Sequence, residues 1–399
     1  MIVTEVLRWD NEAPQDDWRA WLSVAAVAFS GTVFCITEFL PVGLIRYVSA
    51  DLGVSDGMTG LMVTAPGIMA AIAAPMVTLF SGKTDRRLIM LLLGLLLICS
   101  NIVAATASRF EILVVGRILF GVGLGGFWAV GTGIAGKLVS PAAVSKATSI
   151  IFTSISVGLL VGGPAGTLIS EMVGWRYAFG LTAIASVICF CTLIFSLPSL
   201  KVDKRVSVGD FLAIFQSRNG KIGIIAMFLV IVGHFCAYTY VTAFLASVSG
   251  FNGNEIALIL LIYTLIGMVG NFAAGFTSNR HLAATLTIGI SLLVVSVGML
   301  PIFGSLASVT IGLLAIWGLA YGIIPLAIQQ WMVRAAPGAQ EGGTALFVTN
   351  FQTSIAAGSL LGGYLVDSLG ISSALVAGGF CALGSVTALL LFRRPWPAM

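Results

Sequence analysis

Charge is what this chain has least of. Asp, Glu, Lys and Arg make up 9% of its 399 residues, against about 25% in an ordinary soluble protein. It has two histidines, and one of them, His281, lies in a polar break between apolar runs. That excludes a histidine-built metal site inside a membrane. No nucleophile–base pair or pair of neighbouring carboxylates lies in or near an apolar run, so a membrane-embedded enzyme finds no support. The six cysteines, Cys35, Cys99, Cys189, Cys191, Cys236 and Cys381, all sit in apolar runs without metal-ligand spacing. They read as small packing residues. No basic patch interleaved with aromatics appears, so no nucleic-acid partner is expected. The N-terminus lacks a basic segment before a short apolar core and is acidic over 10–17, so the first apolar run is expected to stay as an uncleaved anchor.

What the chain has instead is 58% apolar residues and a mean hydropathy of +1.05. Twelve apolar spans are expected: 21–45, 57–80, 88–107, 110–136, 145–170, 176–198, 221–247, 254–277, 283–303, 307–334, 343–367 and 371–392. Most are long enough to cross about 30 Å of hydrocarbon as helices. If the N-terminus is cytoplasmic, 16 of the 20 basic residues fall on the cytoplasmic side and three (Arg46, Arg109, Arg176) on the other, with Arg117 inside a span. Both termini are therefore expected in the cytoplasm.

The longest polar break, 199–220, divides the chain. The expected organisation is a cytoplasmic tail (1–20), a six-helix bundle (21–198), a cytoplasmic linker (199–220), a second six-helix bundle (221–392) and a short cytoplasmic tail (393–399). A shift of 196 residues carries Gly126, Gly162, Gly166 and Gly174 onto Gly322, Gly358, Gly362 and Gly370. It also carries Phe39 onto Phe235 and Glu38 onto His234. Span order follows the same shift, which argues for an internal duplication around a central pathway.

Glu38, in Thr37-Glu38-Phe39-Leu40-Pro41-Val42-Gly43, is the acid placed well inside an apolar run. A carboxylate in hydrocarbon costs several kcal/mol unless it is protonated, paired or facing water. Low dielectric favours its neutral form, so a change in water access can load or unload a proton. The alternative is a permanently neutral Glu hydrogen-bonded to a neighbour. Pro41 and Gly43 loosen the helix just beyond it.

Arg117 shares a helical face with Gly121, Gly125 and Trp128. It either snorkels to the nearer surface or faces the cavity, tuning Glu38 or anchoring a solute. Gly158, Gly162 and Gly166 flank Gly163-Pro164, a small face with a kink. Asp85, Arg86 and Arg87 form a basic turn that is either a topology signal or a latch. As a latch, Asp85 would meet a helix start such as that near Gly342-Gly343-Thr344, with the arginines pairing across the bundle. In the second half His234, Tyr238 and Thr242, then Tyr263, Gly267, Asn271 and Gly275, then Trp317, Tyr321, Pro325 and Gln329, and finally Asn350 and Ser354 form polar stripes. Together they suggest an aromatic, hydrogen-bonding cavity. His234 reads better as a hydrogen-bonded core residue than as a second proton site.

Over nearly its whole length the chain resembles the major facilitator superfamily, in its bacterial drug/proton antiporter branch. Asp85-Arg86-Arg87 resembles the loop motif after the second span. Arg117 with Gly121, Gly123 and Gly125 resembles the fourth-span arginine motif, and Gly162-Gly163-Pro164 with Gly166 the fifth-span antiporter motif. The stretches Thr37–Leu44, Gly125-Gly126-Phe127-Trp128 and Gly174-Trp175-Arg176 look most like purine ribonucleoside and sugar efflux proteins. The resemblance implies an all-α fold of twelve transmembrane helices in two pseudo-symmetric six-helix bundles. It also implies proton-coupled export of a small polar or amphipathic solute (nucleoside, sugar or drug) across a bacterial inner membrane. The proton gradient would be the energy source, with no cofactor and no metal, and the chain would act as a monomer. Glu38 with Arg117 would couple protons. Trp128, His234, Tyr238, Trp317, Tyr321 and Asn350 would contact the solute. Pro41, Asp85, Arg86, Arg87, Gly162, Gly163, Pro164 and Gly166 would gate. Proton-coupled import is the rival reading.

Overall fold

The computed structural model describes residues 17–81, 84–200, 217–335 and 340–392. Most of the expected 199–220 linker and of both tails lies outside them. The described residues form thirteen helical segments: α1 (Trp18–Leu52), α2 (Asp56–Thr59), α3 (Leu61–Phe80), α4 (Arg86–Ala105), α5 (Phe110–Leu138), α6 (Val144–Met172), α7 (Trp175–Ser196), α8 (Arg218–Tyr238), α9 (Val241–Ser247), α10 (Gly253–Phe303), α11 (Ala307–Ala335), α12 (Gln340–Leu369) and α13 (Ile371–Phe392).

Among the described residues, eleven spans are long and apolar enough to cross a membrane. The remaining expected span, 343–367, lies in α12, which has 30 residues, but Asn350, Gln352, Thr353 and Ser354 interrupt its apolar character. Three boundaries differ from expectation. The span 221–247 breaks at Thr239–Tyr240 into α8 and α9. The span 57–80 opens with the separate short α2. The loop expected between 277 and 283 is a kink in the continuous α10, where His281 has φ −132° and ψ 44°. One non-helical residue is enough to redirect the axis there, so the polar Ser278–His281 stretch needs no loop.

Local chemistry sets the helix ends. Asp17 caps α1 through Ala20 N–H at 2.8 Å, and α10 starts with a capping box of Asn252 and Glu255. Gly174 and Gly370, the 196-residue pair, both take positive φ (103° and 90°) before α7 and α13, a conformation that favours glycine.

The first seven segments pack together through α1–α6, α3–α5, α4–α5 and α4–α7, and the rest through α10–α11, α8–α12, α8–α13 and α10–α13. The two groups meet chiefly where α3 touches α12 and α6 touches α10. The 196-residue shift carries α3 onto the first part of α10 and α6 onto α12, so the two seams are copies of each other. Large apolar side chains cover the outside, including Phe276 (83% exposed) and Phe195 (74%). An exposed apolar surface this extensive belongs against lipid.

Candidate functional site

The centre of the molecule is a narrow cleft between the halves. It is lined by Glu38, Phe39 and Val42 of α1, Val63, Pro66 and Gly67 of α3, Leu124 of α5, Phe235 of α8, and Gln352 and Ile355 of α12. It has room for about one water molecule. Phe39 and Phe235, partners under the 196-residue shift, stack across the halves with centroids 6.4 Å apart. The duplication axis therefore passes beside Glu38.

Glu38 is half-buried and opens onto this cleft. Its Oε1 accepts a hydrogen bond from Nε2 of Gln352 at 3.0 Å. Gln352 is 4% exposed, and its own Oε1 has no partner among the described residues. This residue escaped sequence reasoning. The neighbouring Asn350 and Ser354 drew attention as one stripe, whereas Gln352 faces about 160° away from each of them on an ideal helix. A lone amide within a polar span gives no further signal.

Arg117 is 1% exposed and does not snorkel. Its Nε–H donates to Met62 O at 2.8 Å and its Nη1 to Thr37 O at 3.1 Å. The guanidinium carbon lies 4.4 Å from the Phe120 ring centroid. Both acceptors have a shared origin. A helical carbonyl normally bonds the N–H four residues on, and the residues four on from Thr37 and Met62 are Pro41 and Pro66, which have none. Arg117 fills the two vacancies and so ties α1, α3 and α5 together one residue from Glu38. No ion pair joins Arg117 to Glu38 among the described residues. On the other side of Thr37, Asn101 donates to Thr37 Oγ1 at 3.3 Å and to Ser186 Oγ at 3.1 Å. Its Oδ1 accepts from Thr182 at 3.2 Å.

Four of the expected solute-contacting residues come together. His234 stacks on Tyr321 (centroids 3.6 Å, 6° between planes) and on Tyr238 (5.0 Å, 20°). Trp317 Nε1–H donates to His234 Nδ1 at 3.0 Å. That bond makes Nδ1 the acceptor and leaves the proton on Nε2, which has no partner among the described residues. Tyr263 joins the group by stacking on Tyr238 at 5.3 Å. The other two lie elsewhere. Trp128 packs edge-on to Phe127 at 5.3 Å and against Phe152 at 6.0 Å, and Asn350 donates to Ile224 O at 3.1 Å.

The gating candidates divide as well. Gly162 and Gly166 lie against Phe39 and Leu40 of α1, and Gly43 lies against the Gly163 carbonyl. Any side chain at these positions would push α1 and α6 apart. Thr167 crosses the same contact by donating to Gly43 O at 3.3 Å. Asp85, the latch candidate, bonds within its own half, while the side chains near Gly342-Gly343-Thr344 lie outside the described residues. It accepts from Ser199 Oγ at 2.6 Å, Leu200 N–H at 2.8 Å and Arg87 N–H at 2.8 Å. Arg87 donates to Ile194 O at 2.8 Å, and Arg86 to Ser81 Oγ. The carboxylate thus caps α4 and ties down the segment after α7 within its own half, because those donors are adjacent to it and satisfy it locally. Partial burial pushes the Asp85 carboxyl up, but the hydrogen bonds from Ser199, Leu200 and Arg87 outweigh it and hold it below the ordinary aspartate range.

The bonds that do cross the halves lie at the middle and at the opposite end. Asp367 of α12 accepts from Ser55 Oγ at 2.6 Å and from Gly57 N–H at 3.1 Å, at the start of α2. Ser359 donates to Gly60 O at 3.0 Å, and Thr242 to Val42 O at 2.9 Å. The shift that relates the halves carries Gly57 to Gly253 and Glu171 to Asp367, and Glu171 lies against Gly253 while also meeting Arg46 at 3.5 Å. This end of the molecule is sealed.

Residues 27–358 and 225–398 match the family model of the Major Facilitator Superfamily. The chain is 32% identical over 374 residues, 94% of each chain, to the purine ribonucleoside efflux pump NepI of Escherichia coli K12. It is likewise 32% identical over the same shares to NepI of Shigella flexneri. Among solved structures, a single-substitution mutant of the nucleoside transporter NupG superposes with a TM-score of 0.74 at 14% identity, covering 93% of this chain and 98% of that one. The human organic anion transporter MFSD10 (TETRAN) gives 0.67 at 16% identity, with 94% and 100% covered.

Proposed function

The chain belongs to the major facilitator superfamily and is a multi-pass membrane transporter, not an enzyme; from that premise we propose that it exports a small polar solute of the purine nucleoside class in exchange for protons. The observation that carries this reading is Glu38, an ionisable group in the central cleft that bonds across the seam between the two halves. A group in that place senses both the proton and the relative position of the halves. Full-length similarity to purine ribonucleoside efflux pumps supports the direction and the solute class. The rings around His234, which stack on one another in this closed conformation, would suit a heterocyclic base once the halves part.

Similarity to bacterial efflux pumps supports an inner-membrane location, and the basic-residue bias supports both termini inside. In that orientation the sealed end faces outward, and the conformation is outer-closed with its centre collapsed. Protons enter from outside and neutralise Glu38, the carrier turns inward and releases them, and solute then occupies the cleft for the outward journey. The test is transport of labelled inosine, guanosine and adenosine in vesicles of both orientations. Energised everted vesicles should accumulate at least one of them. Accumulation confined to right-side-out vesicles would establish import instead, and none in either would reject the solute class.

A further inference from the structure

Gln352 is the innermost member of a stripe on α12. Gln352, Ser359 and Asp367 follow at steps of seven and eight residues, close to two helical turns each, and so share one face. Each reaches across the seam: Gln352 to Glu38 at 3.0 Å, Ser359 to Gly60 O at 3.0 Å, and Asp367 to Ser55 Oγ at 2.6 Å and Gly57 N–H at 3.1 Å. The last two close the outer end. The first attaches the same helix to the proton-carrying group. Gln352 is also nearly fully buried with a spare amide oxygen, so its side chain has little else to hold it.

We infer that Gln352 is the positioning residue that keeps the empty, deprotonated carrier closed to the outside, and that it lets go when Glu38 takes a proton or when bound solute draws the carboxylate away from it. This rests on the proton-exchange reading above. The reason is the difference between acceptors. A hydrogen bond onto a charged carboxylate is roughly twice as strong as one onto a neutral group, so protonation loosens the tie between α12 and α1. An exchanger needs such a device. If the empty deprotonated carrier could turn freely, solute would run downhill without protons and the gradient would do no work. The titratable groups that sense Glu38 from its surroundings are Arg117 on α5, Tyr321 on α11 and Cys35 on α1 itself. The seam bond onto the carboxylate comes from Gln352 alone among the described residues.

The test compares net downhill flux with solute exchange in proteoliposomes, for the full chain and for Gln352→Leu, at equal pH on both sides and with the membrane potential clamped. Exchange does not require the empty carrier to turn; net flux does. In the unaltered protein, net flux should fall relative to exchange by roughly tenfold per pH unit once Glu38 is mostly ionised, because protonated carriers thin out at that rate. In Gln352→Leu the ratio should stay within about twofold of its acidic value over the same range, since losing a bond to a charged acceptor shifts the closed state by roughly tenfold or more.

A second reading does not depend on transport. Val63→Cys, in the cleft wall, should resist an impermeant thiol reagent applied outside at alkaline pH when Gln352 is present, and react at least several-fold faster in Gln352→Leu. The same chain without the new cysteine supplies the background. A flux ratio that still falls with pH in Gln352→Leu, or unchanged labelling, overturns the inference. So does a variant that labels as the parent does but has lost exchange, because Gln352 would then serve binding alone. If the unaltered protein itself shows a pH-independent ratio, the proton-exchange reading fails first, and that outcome is distinct from the others.

Discussion

Replacing Glu38 by Gln separates folding from coupling. The two side chains are nearly the same size, so the cleft keeps its shape and Gln352 Nε2 keeps an oxygen to donate to at the present 3.0 Å. A bond onto a charged acceptor is worth about 1.5–3 kcal/mol and a neutral one about 0.5–1.5. The fold should therefore lose about 1 kcal/mol from the seam bond, offset in part because a neutral amide needs less hydration than a carboxylate. Glu38→Gln should purify with a melting temperature close to that of the unaltered chain. Transport should change far more. One pH unit of gradient corresponds to about 1.36 kcal/mol, so a one-for-one exchanger with the potential clamped can concentrate its solute about tenfold per unit. Glu38→Gln carries no proton and should reach no gradient at all, while exchange of labelled for unlabelled solute persists. The solute dissociation constant should also differ in its response to pH. On the proton-exchange proposal, proton and solute exclude each other, so affinity should weaken as pH falls through the titration of Glu38, and the variant should be flat. The assay is labelled-solute accumulation in proteoliposomes against an imposed pH step. Accumulation by Glu38→Gln at the rate and extent of the unaltered chain would refute the assignment and leave Glu38 a neutral structural residue.

Four further outcomes are expected. Arg117→Lys loses the forked geometry that serves Met62 O and Thr37 O and should cost about 1–3 kcal/mol per stranded carbonyl; adding Pro41→Ala restores an in-helix donor for Thr37 O, so the Arg117 change should cost less in the Pro41→Ala background, as read by a double-mutant cycle of thermal stabilities. Trp317→Phe removes the donor to His234 Nδ1 and should lower stability by about 1–3 kcal/mol, with a changed imidazole tautomer signal in nitrogen NMR. Because Asp85 titrates below the ordinary aspartate range in the folded protein, its contribution is complete above the unfolded value near about 3.9 and fades as pH falls through the folded one. Amide exchange at Leu200, corrected for its intrinsic pH dependence, should therefore show constant protection from pH 5 to 8 and lose it only in stronger acid, and Asp85→Asn should abolish that acid step. Finally, Glu111→Cys should react with impermeant reagent on intact cells while Ser207→Cys reacts only with a permeant one; the reverse pattern would invert the orientation.

The order and composition of the spans were legible because a bilayer imposes its length and apolarity on every crossing helix, so the signal is local. The 196-residue repeat was legible for the same reason, and the paired seams and the Phe39–Phe235 contact follow from it. Glu38 stood out because an acid among apolar residues is conspicuous whatever surrounds it. Other features depend on which helices meet. Pro41, Pro66 and Arg117 were all visible in the sequence, but the match between two stranded carbonyls and one guanidinium needs three helices in register. Nothing in the local sequence marks Ser199 and Leu200, more than a hundred positions away, as the partners of Asp85. Trp128 and Asn350 were expected beside the His234 cluster, yet their helices direct them to other partners. Gln352 has no local mark at all. Its importance arises from a 3.0 Å contact with a residue 314 positions away, and a pairing at that separation is set by how the two halves close on each other, which only the tertiary structure decides.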